Sequence, residues 1–185
     1  YSAGDLIVEG NLGIGTAAPA QKLDVNGSIT IPATIDSTSG VIYKANDRFI
    51  HDFALPGTDG NNLFIGKNAG NFTMTGSTTY KGSYNMGIGE NALISNTTGY
   101  SNFAIGMNAL SSNTTGYSNS AIGGYALYSN TTGSYNIAIG NDAGKYLANG
   151  SSTNQTSNKS VFLGTDTRAS VAGGTNEIVI GSSAI

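Results

Sequence analysis

The sequence predicts an all-β fold: an N-terminal β-hairpin unit followed by a parallel β-roll, or β-solenoid, of about seven rungs. Three observations carry this. A 17-residue sentence is written three times, as NMGIGENALISNTTGYS from Asn85, NFAIGMNALSSNTTGYS from Asn102 and NSAIGGYALYSNTTGSY from Asn119. Self-similarity at a short fixed period marks a stacked architecture. Each copy carries a three-residue, mostly apolar run ended by Gly, too short for a helix and well suited to a strand and corner. The composition agrees: 27 Gly in 185 residues is about twice ordinary usage, and charged residues make up only 10%.

The totals also exclude classes. Apolar residues are 38% of the chain, thin for a conventional core, yet the net charge of −3 and the regular apolar spacing argue against disorder. With no Cys there are neither disulfides nor thiolate metal sites. No apolar run approaches the roughly 18 residues that cross a bilayer as a helix, and no signal peptide opens the chain. The start at Tyr1 without Met points to a piece of something longer. No basic stripe suits nucleic acid.

In chain order, residues 1–31 form a leader, 32–61 a connector and 62–185 the repeat region. Leu6 to Glu9 is a short strand signal, and Leu12-Gly13-Ile14-Gly15 is a brief apolar pair broken by Ala17-Ala18-Pro19. Lys22–Val25 and Ser28–Ile31 flank Asn26-Gly27, the strongest two-residue hairpin signal. After a polar connector, Val41–Lys44 and Arg48–Phe53 predict a second hairpin around Ala45-Asn46-Asp47. Leu55 to Gly60 is a loop. Degenerate copies begin at Asn62, Asn136, Ser160 and Glu177, with insertions at 71–84 and 145–159 placed in loops.

Side chains alternate along a strand, so positions two apart share a face. One set is Leu63/Ile65, Met86/Ile88, Phe103/Ile105, Ser120/Ile122, Ile137/Ile139, Val161/Leu163 and Ile178/Ile180. Between them stand Phe64, Gly87, Ala104, Ala121, Ala138, Phe162 and Val179. A strand apolar on both faces must be covered on both. One face lines the inside of a coil, and the other needs a neighbour close enough to demand Gly or Ala. Gly66, Gly89, Gly106, Gly123, Gly140, Gly164 and Gly181 then make a corner, Ala-Leu a second apolar contact, and Asn-Thr-Thr-Gly the turn back. Seven rungs at about 4.8 Å stack to roughly 30 Å. So narrow a coil encloses little, and the expected remedy is burial of its second face between identical chains; an intertwined homotrimer is the favoured assembly, although the spacing does not itself set threefold symmetry.

The wording of these motifs is itself informative. The NxAIG…AL…NTTG repeats resemble the head repeats of trimeric autotransporter adhesins, which are left-handed parallel β-rolls packed as trimers. The leader from Asn11 to Ile29, the hairpin from Gly40 to His51 and the segment from Phe64 to Gly76 are similar, in order and wording, to the distal part of bacteriophage-type tail fibres. The resemblance covers nearly the whole chain. It implies an extracellular location on a virion tail fibre, a cell surface or a secreted fibre, and attachment to host or prey through cell-envelope glycans. It also implies a C-terminal intramolecular chaperone in the precursor, removed from the mature chain.

No catalytic or metal-binding set and no cofactor emerges. His51, the single histidine, lies between Asp47 and Asp52 but has no second imidazole or thiolate partner. A structural role is expected, with symmetry mates meeting near a trimer axis. Glu90 is the only acid between Asn85 and Tyr135, which leaves no paired carboxylates for glycan cleavage there. The Gly-x-Gly pieces lack a βαβ setting and read as turns. Asn96, Asn113 and Asn130 match the N-glycosylation pattern, but the same letters serve turn chemistry. The candidate ligand-binding residues are Tyr84, Tyr100, Tyr117, Tyr125, Tyr128 and Tyr135, whose rings beside Asn, Ser and Thr suit stacking on sugars. Their competing role is covering coil corners or the trimer seam. The expected function is therefore a non-enzymatic trimeric fibre segment that positions or forms a receptor-binding glycan surface. The alternative is a purely structural fibre spacer; a glycan depolymerase and an ice-binding protein rank below both.

Overall fold

The structure, a computed structural model, describes residues 10–32, 34, 40–75 and 78–185. The strand signal at Leu6 to Glu9 lies outside them. The described residues are all-β without a helix, and so none forms a helix long and apolar enough to cross a membrane. They divide into two compact units, one ending at residue 32 and the other taking in the described residues from 34 onward.

In the first unit, β1 (Leu12–Ile14) and β2 (Leu23–Val25) pair in parallel, Leu12 opposite Leu23 and Ile14 opposite Val25. This corrects the hairpin expected around Asn26-Gly27: Ser28 to Ile31 forms no strand. The reason is local. Asn11-Leu12-Gly13-Ile14-Gly15 has the letters of a repeat strand and its corner, and Leu23 to Gly27 repeats them approximately. Instead of turning the chain back, Asn26 donates its backbone N–H to Ile14 O at 2.8 Å and its side-chain amide to Gly15 O at 3.2 Å. Asn11 likewise donates to Pro19 O, fixing the crossover between the strands.

The second unit holds one nine-stranded sheet. β3 (Ile42–Lys44) and β4 (Asp47–His51) form an antiparallel hairpin closed by Ala45-Asn46, with a bulge beside Ile42 and Tyr43. β4 pairs antiparallel with β5 (Leu63–Ile65), and from there every pairing is parallel. The remaining strands are β6 (Met86–Ile88), β7 (Phe103–Ile105), β8 (Ser120–Ile122), β9 (Ile137–Ile139), β10 (Val161–Leu163) and β11 (Ile178–Ile180). Successive copies are in perfect register: Ala104 faces Ala121, and Ala121 faces Ala138.

Three left-handed residues per regular copy bend a short strand into a coil. In the copy from Asn102 they are Asn108 (φ 59°), Leu110 (φ 50°) and Ser118 (φ 53°). Gly106 turns the corner directly after the strand with φ 135°, and a Cβ there would strike the carbonyl of Gly123 in the next copy. Only glycine combines that φ with that approach.

The middle residues of the strands point inward. Phe64, Ala104, Ala121, Ala138 and Phe162 are fully buried, as are Ala92, Leu93, Ala109, Leu110, Ala126 and Leu127. The close neighbour that demands Gly or Ala on this face is therefore the same chain's Ala-Leu segment. At Gly87 a Cβ would sit 3.0 Å from the Phe64 ring of the preceding copy and 3.3 Å from Ala92 O. Where the inward residue enlarges to Phe, glycine replaces Leu nearby: a Cβ on Gly70 would overlap the Phe64 ring, and one on Gly144 would lie 2.8 Å from that of Phe162.

Two columns of buried asparagine run alongside this core. Asn102, Asn119 and Asn136 each donate a side-chain amide to the Oδ1 of the preceding ladder member at 3.1 Å and to a turn carbonyl beside it. Asn113 and Asn130 do the same toward Asn96 and Asn113 at 3.0 Å. Every amide is satisfied, as burial requires. At the first end the hairpin closes the core. His51 lies 4.9 Å from the Phe64 ring and 4.6 Å from Phe72, and the Arg48 guanidinium covers Phe72 at 4.4 Å.

Candidate binding surface

The outward faces of β5–β11 carry two apolar columns. One is an unbroken run of Ile65, Ile88, Ile105, Ile122, Ile139, Leu163 and Ile180. The other is Leu63, Met86, Phe103, Ser120, Ile137, Val161 and Ile178. Ile122, Ile137, Ile139, Ile178 and Ile180 are exposed, from 38% to 74%, and the other members are half-buried. No charged side chain interrupts either column.

The six tyrosines do not form one site. Tyr100 and Tyr117 stack face to face at 4.7 Å and 5°, with Tyr80 edge-on at one end and Tyr135 at the other, 5.1 Å from Tyr117. Burial against this column raises the Tyr100 phenol, and a hydrogen bond with Tyr135 raises that of Tyr117. The mutual stacking covers the ring faces of Tyr100 and Tyr117 and leaves Tyr135 half exposed. Tyr84 stands apart, raised by its hydrogen bond to Asp59, in a shallow groove of about 340 Å³ beside Leu63, Met86 and Phe103.

Tyr125 and Tyr128 form a third group, 5.5 Å apart. Lys145 lies 4.4 Å from the Tyr125 centroid, 5.3 Å from Tyr128 and 4.9 Å from Tyr146, and its ammonium reaches Asp142 at 2.7 Å. Burial opposes its charge, but the hydrogen bonds to Asp142 and Tyr146 win, and Lys145 is raised. These rings are filled by the chain's own cation, a cluster the sequence reading missed because Lys145 and Tyr146 fall outside the 17-residue period.

A groove of about 460 Å³ borders the Tyr column and is lined by Tyr117, Thr132, Tyr135, Asn158, Lys159 and Asn176, with Ser134 and Thr175 at its sides. The side chains of Thr132, Lys159, Thr175 and Asn176 make no hydrogen bond or ion pair among the described residues.

The remaining candidates resolve physically. His51 is 3% exposed; its Nε2 lies 2.8 Å from Ala69 O, and Nδ1 accepts the Phe53 N–H at 3.3 Å. This corrects the expectation that it meets symmetry mates, because its own chain encloses it. The side chains of Asn96, Asn113 and Asn130 are buried in their ladder and offer no amide for glycosylation. Thr97, Thr114 and Thr131 turn their hydroxyls onto carbonyls of the next copy. Among the described residues no three of His, Asp and Glu converge. Comparison with protein-family models, curated proteins and solved structures found no match.

Proposed function

We propose that the chain is one subunit of a homotrimeric fibre segment, with residues 62–185 a β-solenoid of about seven rungs, working outside the cell. It would position or form a surface for cell-envelope glycans in host or prey attachment, without catalysis. The observation that carries this reading is the double apolar column on β5–β11. An apolar face of this length, left wet, is an association surface. Its own repeat of about 4.8 Å is matched best by another surface of the same repeat, which a second and third copy supply. The resemblance to trimeric adhesin heads and tail fibres supports threefold closure, and the half-exposed tyrosines beside free Thr and Asn side chains support sugar contact.

Sedimentation equilibrium tests the assembly: a trimer mass is expected, and a monomer that persists at high concentration would remove the premise. Binding to an array of envelope glycans, without release of reducing ends, tests the attachment role. The spacer reading draws on a different observation. Tyr100 and Tyr117 spend their ring faces on each other, and most buried amides are committed to ladders. Absence of binding to every envelope fraction by the trimer would favour it.

A further inference from the structure

We infer that the groove beside Tyr135 is a subsite for an anionic saccharide, a sugar ring carrying a carboxylate. This rests on the glycan-binding reading above and names the ligand class.

This groove gathers unpaired polar side chains and one cation around a half-exposed ring. Along the repeat the ladder amides bond to each other and to turn carbonyls and the first Thr of each pair bonds to the next copy, while the second Thr, at Thr98, Thr115 and Thr132, makes no side-chain hydrogen bond among the described residues. Here the Thr132 and Thr175 hydroxyls, the Asn176 amide and the Lys159 ammonium make no hydrogen bond or ion pair among the described residues, and the ammonium's field reaches the Tyr117 phenol. Donors and acceptors of this kind suit the hydroxyls of a sugar. Tyr135, 51% exposed, stands edge-to-face with Tyr117 at the end of its column. Of the rings in that column, it combines this exposure with a place in the groove. A volume of about 460 Å³ lies within the range of small-ligand clefts, roughly 300–1,000 Å³.

Charge selects the class. Lys159 is the single charged residue lining the groove, in a chain whose net charge is −3. Its ammonium pairs with no carboxylate within 4.0 Å among the described residues, unlike Lys67, Lys145 and Arg168. A lone cation beside an aromatic platform favours a ring with a negative substituent over a neutral one of equal size. The groove includes no residue of the two apolar columns.

The test is titration calorimetry of the full chain with tetragalacturonate and with its neutral methyl ester. The wild type is expected to prefer the acid by about fivefold, the size of one partly exposed ionic contact. Lys159→Gln should erase that preference while keeping ester affinity and melting temperature. Tyr135→Ala should weaken both probes. Equal affinity for the two probes in the wild type would overturn the inference and leave the glycan reading standing. A preference that survives Lys159→Gln would overturn the placement. Binding of neither probe would also overturn it, with the envelope-glycan array deciding the wider reading separately.

Discussion

Asn119 donates its side-chain amide to Asn102 Oδ1 at 3.1 Å and to Gly133 O at 2.8 Å, while its own Oδ1 accepts the backbone and side-chain N–H groups of Asn136. One buried side chain thus ties together a turn and three successive copies. The repetition of Asn at this position follows from that geometry. An amide is the group that presents donors one way and an acceptor the other at constant length.

Removing the Asn119 side chain leaves the Asn136 backbone N–H and one of its amide hydrogens without their acceptor, whereas Asn102 Oδ1 keeps the Asn119 backbone N–H and Gly133 O keeps the Asn130 amide. Asn119→Ala is expected to lower unfolding free energy by about 3 kcal/mol, the cost of two or so unpaired buried polar groups. Asn119→Asp should cost at least as much, because a second oxygen would then face the Gly133 carbonyl. Urea unfolding at fixed protein concentration measures both. A loss below about 1 kcal/mol for either variant would mean that water replaces the amide.

Packing inside the coil makes a sharper claim, because Phe162 occupies volume that Gly144 vacates. Phe162→Ala is expected to cost about 3–5 kcal/mol through the cavity it leaves. Gly144→Leu alone should also destabilise, by overpacking against the ring. Leu at that position is otherwise tolerated, since Leu127 occupies the equivalent place with φ 48°. The double variant therefore recreates the Ala-Leu arrangement of the copies below and should recover at least half of the Phe162→Ala loss. Additive losses in the double-mutant cycle would refute the volume exchange.

The sequence made the stack legible because its signal is periodic: the Ile-Gly pairs and the Asn-Thr-Thr-Gly turns recur wherever a strand and a turn recur. The hairpin at Ile42–His51 was legible too, from aromatic and β-branched residues around a short turn. In the leader, Asn26-Gly27 is a strong local signal for antiparallel return, but parallel pairing of Leu23 with Leu12, 11 positions earlier, outcompetes it. Which face lies inside was not legible. Gly and Ala mark close approach, but the letters do not say whether the approaching chain is the same one. The tyrosines show the same limit at the candidate site. Recurrence placed Tyr100 and Tyr117 in one column, whereas Tyr80, Lys145 and Lys159 come from non-repeating segments whose meeting points only folding defines.

His51 gives the stability a pH dependence of known sign. Burial, reinforced by Arg48, holds its imidazole below the ordinary value of about 6.5. The unfolded chain therefore takes up a proton first as pH falls, and it binds more protons than the folded chain in that interval. Stability is full above about 6.5 and declines as pH drops from there toward the lowered folded value. It is the single histidine, and carboxylates titrate nearer 4, so the interval from pH 7 to 5 isolates it. The melting temperature should fall across that interval in the wild type and much less in His51→Gln, whose amide can still donate to Ala69 O. Parallel curves for the two proteins would rule out the buried neutral imidazole.

Ser120 is the one polar member of its outward column, set between Phe103 and Ile137. In an isolated chain this place is half-buried at the sheet surface, where a carboxylate can still reach water, and Ser120→Glu should change the unfolding of a monomer by no more than about 0.5 kcal/mol. In the proposed trimer the same position faces apolar side chains of a partner, where three uncompensated carboxylates would be desolvated close together. The expected outcome is therefore a change of mass rather than of fold. Sedimentation equilibrium should shift from trimer toward monomer, with β-sheet circular dichroism retained at low temperature and a lower, concentration-dependent melting temperature. Ser120→Val, which completes the apolar column, should leave the mass unchanged and raise the melting temperature. If Ser120→Glu remained a trimer with wild-type melting, β5–β11 would not be the face that the chains share.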